Sequence, residues 1–277
     1  MTPIDAESAW KLIRAIRHHG CKAPGVLKAG LHIRPDGRWS ADHAVTPEAA
    51  LLLDMLLPLA CSSASLVIAQ IGQSLDGRTA TVSGHSRYVT GYASRVHLHR
   101  LRALVDAVVI GANTAIQDNP QLTVRHVAGD NPVRVVLDPN GRVPHHCHVF
   151  TDGGPPTWHA VRAGIAAAPG ARRLALPQDA ADIPGSLLAG LASRGMSRVL
   201  IEGGGTTISR FIEAGCVDRL HIVVAPFIIG SGRPGLSLRE IDTLDDALRP
   251  QCRSFAIGED QLYDLILARA GRPRTST

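Results

Sequence analysis

The feature that most constrains this chain is an alternation that begins near residue 62. Short apolar runs recur, separated by segments long enough for one helix. The runs are Ser65–Ile71, Ala107–Ile110, Val133–Leu137, Arg172–Leu176, Arg198–Ile201 and Arg219–Ile229. Helical segments are expected at Gly91–Leu104, within 157–167, at Ser186–Arg194 and at Thr206–Ala214. Strands spaced this way form βαβ units and a largely parallel sheet. Two further runs, Ser254–Ile257 and Gln261–Ala268, leave no room for a helix and are expected as an antiparallel hairpin. The fold class expected is therefore α/β, a mostly parallel central sheet with helices on both faces and a C-terminal antiparallel hairpin. The Gly-, Pro- and His-rich stretch from Pro139 to Pro156 is expected at the surface.

Residues 1–61 differ in character and are expected as an N-terminal helical extension, beside a main domain at 62–270 and a disordered tail at 271–277. A short basic helix is expected from Ala9 to His18. Arg34-Pro-Asp-Gly-Arg38 is a turn between two extended runs. Thr46-Pro47-Glu48 starts a second helix, with a cap, a proline at the first helical position and an acid in the first turn. Leucines surround that helix, so it must pack on the main domain or at a subunit interface.

Composition narrows the function classes. Hydrophobic residues make up 45% and charged residues 19%, as in a soluble globular protein with a substantial core. The net charge of +5 is spread along the chain, and only 4% of residues are aromatic. That pattern argues against nucleic-acid binding and leaves a solvated surface or a site for small polyanions. The most apolar run, Ala49 to Ala60, is shorter than the roughly 20 residues that span a bilayer. The N-terminus lacks the basic and apolar regions of a signal peptide. The five cysteines include no CxxC, which argues against a zinc ribbon or disulfide framework and fits a reducing cytoplasm. His145-His-Cys-His148 is too tightly spaced to ligate one metal tetrahedrally, so no metal is expected.

Chemistry concentrates at two strand ends. The first lies in Ile110 to Arg125, where Gly111 ends an apolar strand and Asn113 or Thr114 is placed to cap a short helix. Asp118-Asn119-Pro120 stops that helix, and Arg125 follows as a candidate anion ligand. The second is Glu202-Gly203-Gly204-Gly205-Thr206, between the strand at Val199–Ile201 and a helix with Ile208, Phe211 and Ile212 on one face. Three glycines let a ligand approach the backbone, and the helix start faces an anion. Glu202 would stand at a strand's carboxyl end, where open α/β sheets place ligands. On the helix at Gly91–Leu104, Arg95, His99 and Arg102 form a basic stripe beside a buried one. Ser83 to Thr90 is a polar loop whose Tyr88 is suited to stacking and whose Thr90 is placed to cap that helix. Gly230-Ser-Gly-Arg-Pro-Gly235 matches GxGxxG, but Pro234 and the lack of a following helix make it a loop bordering a site.

Seven blocks in order resemble the pyrimidine reductase family of riboflavin biosynthesis, which has a dihydrofolate-reductase-like fold. They are Gln73-Ser-Leu-Asp-Gly-Arg78, Ser83 to Gly91, His99-Arg-Leu-Arg102, Gly111 to Arg125, Val133 to Asp138, Leu200 to Gly205 and Val224 to Gly230. The resemblance implies NADPH-dependent reduction of 5-amino-6-(5-phosphoribosylamino)uracil, with hydride delivered to the ribose C1′. It implies cofactor contacts at Gly72, Tyr88, Thr114, Asp118, Gly203, Gly204, Gly205, Thr206 and Thr207. It implies substrate contacts at Ser86, Arg102, Leu122, Arg125 and Glu202, with Arg102 and Arg125 on the phosphate. Glu202 or a bound water would be the general acid. A homodimer in the cytoplasm is the expected assembly.

The chain departs from the family at three places. Gln70 stands where many bacterial members have Lys, and Tyr88 where Trp is frequent. Residues 1–61 lack the His-Ala-Glu and Pro-Cys-x-x-Cys motifs of the zinc deaminase found in bifunctional relatives. Two alternatives stay open: a related reductase acting on dihydrofolate, a pterin or a specialised pyrimidine, and a non-catalytic nucleotide-binding paralogue.

Overall fold

The computed structural model describes residues 2–62 and 65–267. The chain forms two compact units that meet in sequence at Leu66 and Val67.

In the first unit, α1 (Ala6–His19) starts three residues earlier than expected because Asp5 caps it, its carboxylate accepting from Ser8 N at 2.8 Å. Ala9, Trp10, Ile13 and Ile16 recur at helical spacing and are buried. A short α2 (Pro24–Lys28) leads into a hairpin of β1 (Leu31–Ile33) and β2 (Trp39–Ala41), closed by the turn expected at residues 34–38. The unit is thus not wholly helical. In α3 (Pro47–Ala60), Thr46 caps as expected and Pro47 occupies the first turn; α3 packs against α1.

The second unit is built on a nine-stranded sheet. Its strands are β3 (Leu66–Ser74), β5 (Ala107–Gly111), β6 (Val133–Leu137), β7 (Thr157–Arg162), β8 (Arg172–Leu176), β9 (Arg198–Glu202), β10 (Arg219–Ala225), β12 (Gln251–Ile257) and β13 (Asp260–Ile266). The order is β12-β13-β10-β3-β9-β5-β6-β7-β8. From β9 through β5, β6 and β7 to β8 neighbours run parallel, and β10 runs parallel to β3. At the other edge β12 and β13 form the expected antiparallel hairpin, joined to β10. A separate small pair, β4 (Arg78–Ala80) with β11 (Arg233–Pro234), folds the 230–235 loop back beside the turn after β3.

Successive residues along the central strands are buried, as in Val67, Ile68, Ala69 and in Val108, Val109, Ile110. Neighbours on a strand face opposite sides, so both faces of the sheet are covered. The helices are α4 (Tyr92–Ala103), α5 (Ala112–Asp118), α6 (His148–Thr151), α7 (Ile183–Ala192) and α8 (Gly205–Glu213). From α8, Ile208 and Phe211 join the cluster of Val109, Val199 and Ile201.

One expected element is corrected. Residues 157–162 form β7 rather than a helix. The Ala-rich stretch after them reads as helical, but Thr157 to Arg162 pair with β6 on one side and β8 on the other. Position within the sheet overrides local propensity here. Two strand ends also shift: β3 runs on to Ser74 because β10 stays paired with it, and β10 stops at Ala225 because Pro226 has no N–H to donate. The tail expected to be disordered, 271–277, lies outside the described residues. Among the described residues no helix is long and apolar enough to cross a membrane.

Candidate active site

Three neighbouring strands, β3, β9 and β5, end in the segments that the sequence singled out. After β9 the chain turns through Gly203 at φ +94°, a conformation side chains rarely tolerate. A Cβ there would lie 2.6 Å from Thr114 Oγ1. Thr114 is placed on α5 to receive this turn, and its hydroxyl accepts from Gly204 N at 2.9 Å. Neither Asn113 nor Thr114 caps α5, contrary to expectation; Gly111 holds the cap position and Thr114 serves the opposite loop. The return of the 230–235 loop presses on Gly205, where a Cβ would sit 2.0 Å from Gly235 O. Helix α8 then starts with no side-chain cap. Its first N–H groups, with Thr206 exposed beside them, are arranged for an anionic group.

The loop before α4 covers the end of β3. Gly72 lies against the Thr90 methyl, and Gly91 rather than Thr90 takes the α4 cap position. Asp260 anchors this helix start by accepting from Gly91 N and Ser94 Oγ. Tyr88 is exposed, has φ +66°, and carries the Arg95 guanidinium 4.4 Å from its ring centroid. Ser86 Oγ donates to Asp118 Oδ1 at 3.1 Å, bringing an expected substrate residue onto an expected cofactor residue. Arg233, from the 230–235 loop, donates to Gln117 on α5.

Arg102 and Glu202 form a pair rather than two separate ligands. Arg102 Nε and Nη2 donate to the two oxygens of Glu202, each at 2.7 Å, and Nη1 donates to Thr123 O at 3.0 Å. Both residues are buried, at 7% and 4% exposed. Three of the five N–H donors of Arg102 are thus engaged by Glu202 and Thr123, and the expected contact with a substrate phosphate has only the second N–H of Nη1 and of Nη2 to use. Both carboxylate oxygens of Glu202 accept from the Arg102 guanidinium, the two-pronged geometry of a buried ion pair. The basic stripe expected on α4 is likewise not solvated, since His99 and Arg102 are both inside.

Arg125 is exposed. Its Nη1 donates to Gln121 Oε1 and Thr123 Oγ1, which leaves other guanidinium donors for a ligand. Leu122 is buried with φ +57°, so its expected substrate contact is not on the open surface. His99 Nδ1 accepts from Arg125 N at 2.9 Å. Burial and the charges of Arg102, His126 and Arg125 push the imidazole down to about 3.

Sequence reasoning missed the supports. Asp76, within the Gln73–Arg78 block, accepts from Ser74 Oγ, Ile229 N and Gly230 N and so ties the ends of β3 and β10 together. The Ser74 hydroxyl and these two amides lower its carboxyl to about 2. His99 stands in the basic stripe with Arg102, three residues along the same helix, but the stripe does not reveal its bond to Arg125. Within the His145–His148 cluster, His148 N donates to Asn119 Oδ1 and braces the turn after α5. Among the described residues no group of three or more His, Cys, Asp or Glu is placed to hold a metal ion.

Comparison with known proteins bears on this geometry. The sequence profile described as the RibD C-terminal domain matches residues 65–261. The riboflavin biosynthesis protein RibD of Bacillus amyloliquefaciens is 39% identical over 165 residues, covering 57% of this chain and 44% of that protein. The 2,5-diamino-6-ribosylamino-4(3H)-pyrimidinone 5′-phosphate reductase of Methanothermobacter thermautotrophicus is 34% identical over 214 residues, covering 72% and 96%. Among solved structures, RibD of Acinetobacter baumannii superposes with a TM-score of 0.65 at 27% identity, over 80% of this chain and 63% of that one. The chain spans about half the length of the bacterial RibD proteins it matches.

Proposed function

This chain belongs to the RibD C-terminal domain family, and from that premise we propose that it is an NADPH-dependent reductase of 5-amino-6-(5-phosphoribosylamino)uracil in riboflavin biosynthesis. The observation that carries the reading is the meeting of an uncapped α8 start, cradled by Gly203 and Gly205, with the exposed Arg125 beside a buried Arg102–Glu202 pair. Gly203 and Gly205 let Thr114 and the returning loop pack closely, and the exposed Gly204 and Thr206 at the uncapped helix start suit the cofactor's phosphates. Gly203, Gly204, Gly205, Thr206 and Thr207 would hold its phosphates, with Gly72, Tyr88, Thr114 and Asp118 around the rest. When bound, NADPH supplies the hydride that reduces the ribose C1′.

The chain's own residues do the positioning, which provides most of the rate when a cofactor carries the chemistry. Arg125 binds the substrate phosphate with its free donors. The Arg102–Glu202 pair forms a rigid floor, and the lone pairs that Glu202 keeps orient substrate hydroxyl or N–H groups. Ser86 and Leu122 line the same side. Residues 62–270 carry this chemistry in the proposal, and residues 1–61 carry none. A homodimer in the cytoplasm completes the reading and is checked by light scattering and fractionation.

A second reading has its own support. The Methanothermobacter relative, which this chain covers nearly end to end, is named for reduction of the diamino pyrimidinone phosphate. That substrate differs at the ring and not at the ribose phosphate. Purified protein given NADPH and either pyrimidine, followed at the nicotinamide absorbance band, separates the two. Faster turnover of the aminouracil supports the first reading, and faster turnover of the diamino compound supports the second. Turnover of dihydrofolate with both inert would overturn both.

A further inference from the structure

We propose that His99 is the positioning residue for Arg125: its Nδ1 lone pair holds the Arg125 backbone where the guanidinium meets the substrate phosphate. The inference rests on the proposed phosphate role of Arg125. Its basis is how segment 121–125 is tied down. Arg134 Nη1 donates to Gln121 O, Arg102 Nη1 donates to Thr123 O, and Val124 N donates to Asn131 Oδ1. His99 and Arg102, three residues apart on α4, reach the segment from one helix face. Of these ties, only the one from His99 grips the residue that bears the free cation. The segment needs gripping, because Leu122 within it sits at φ +57°.

The bond dictates a chemical form. An acceptor is required at Nδ1, so the ring must be neutral with its proton on Nε2. His99 is 4% exposed and meets His126 edge-on at 4.5 Å between centroids. The surrounding Arg102, Arg125 and His126 all oppose a charge on it, which keeps the acceptor in place near neutral pH. A leucine here would leave the partly buried Arg125 N–H without this acceptor and free the segment to shift.

The test compares wild type, His99→Leu, His99→Asn, His99→Gln and Arg125→Ala. Each is assayed with NADPH and 5-amino-6-(5-phosphoribosylamino)uracil, and with the dephosphorylated analogue. His99→Leu is expected to raise KM for the phosphorylated compound about tenfold, with kcat within about threefold. KM for the analogue and the NADPH Kd from fluorescence titration should not move. Asn, whose oxygen falls near the Nδ1 position, should rescue better than Gln; this contrast stands even if the leucine variant fails to fold. The inference is overturned if Arg125→Ala abolishes the phosphate preference while His99→Leu keeps it, if both substrates suffer equally, or if Asn rescues no better than Gln. If Arg125→Ala keeps the preference, the phosphate role of Arg125 falls first and this inference falls with it. Nitrogen NMR shifts read the tautomer without any turnover: Nε2–H is expected, and a protonated Nδ1 would overturn the inference even in an inactive protein.

Discussion

Breaking the Arg102–Glu202 pair from one side should cost more than removing it whole. Both groups are buried, and each holds the other through two bonds of 2.7 Å. Arg102→Met would leave a buried carboxylate without its partner, for an expected loss of about 3–5 kcal/mol in urea unfolding. Adding Glu202→Leu should restore most of that loss but not turnover. A single variant that loses under about 1 kcal/mol would show that the pair is solvated. A pH effect belongs to the same scale. His99 titrates at about 3 in the folded chain against about 6.5 when unfolded, and burial also lowers His97 well below its usual value. Between those values the unfolded chain binds more protons, so this stability is present above about pH 6.5 and is lost as pH falls toward 3. The urea midpoint should therefore drop from pH 7 to pH 5, and less so in His99→Asn. An equal drop in both proteins would mean that His99 does not titrate as described.

At the scale of elements, the turn from β9 into α8 is where sequence and function are most tightly bound. Gly203→Ala places a Cβ at φ +94° and 2.6 Å from Thr114 Oγ1. NADPH affinity should fall at least about tenfold, since the change disturbs the backbone proposed to hold the cofactor and adds strain of about 1–3 kcal/mol. An unchanged Kd by fluorescence titration would place the cofactor elsewhere. This turn was legible in the sequence because the apolar strand before it and the amphipathic helix after it fix its position. The same holds for Gly111 and the stop at Asn119. Pairing over distance was not legible: Arg102 meets Glu202 across 100 positions, and Asp76 grips residues 229 and 230. Local pattern marks Arg102 and Glu202 as candidate site residues but carries no sign that they pair with each other. Thr157 to Arg162 failed for the opposite reason, because nearby alanines favour a helix and only the neighbouring strands decide otherwise.

At the scale of the molecule, a nine-stranded sheet brings three distant segments to the carboxyl ends of adjacent interior strands: 72–91, 111–125 and 202–207. The family profile covers residues 65–261, which includes all three segments. The central claim is that these segments hold a hydride donor against a phosphorylated ribosylamino pyrimidine. The most direct measurement uses NADPH dideuterated at the nicotinamide C4, with 5-amino-6-(5-phosphoribosylamino)uracil as acceptor and NMR of the isolated product. The account predicts one deuterium, on C1′ of the ribityl chain. Deuterium in the pyrimidine ring, or none in the product while NADPH is consumed, would contradict it.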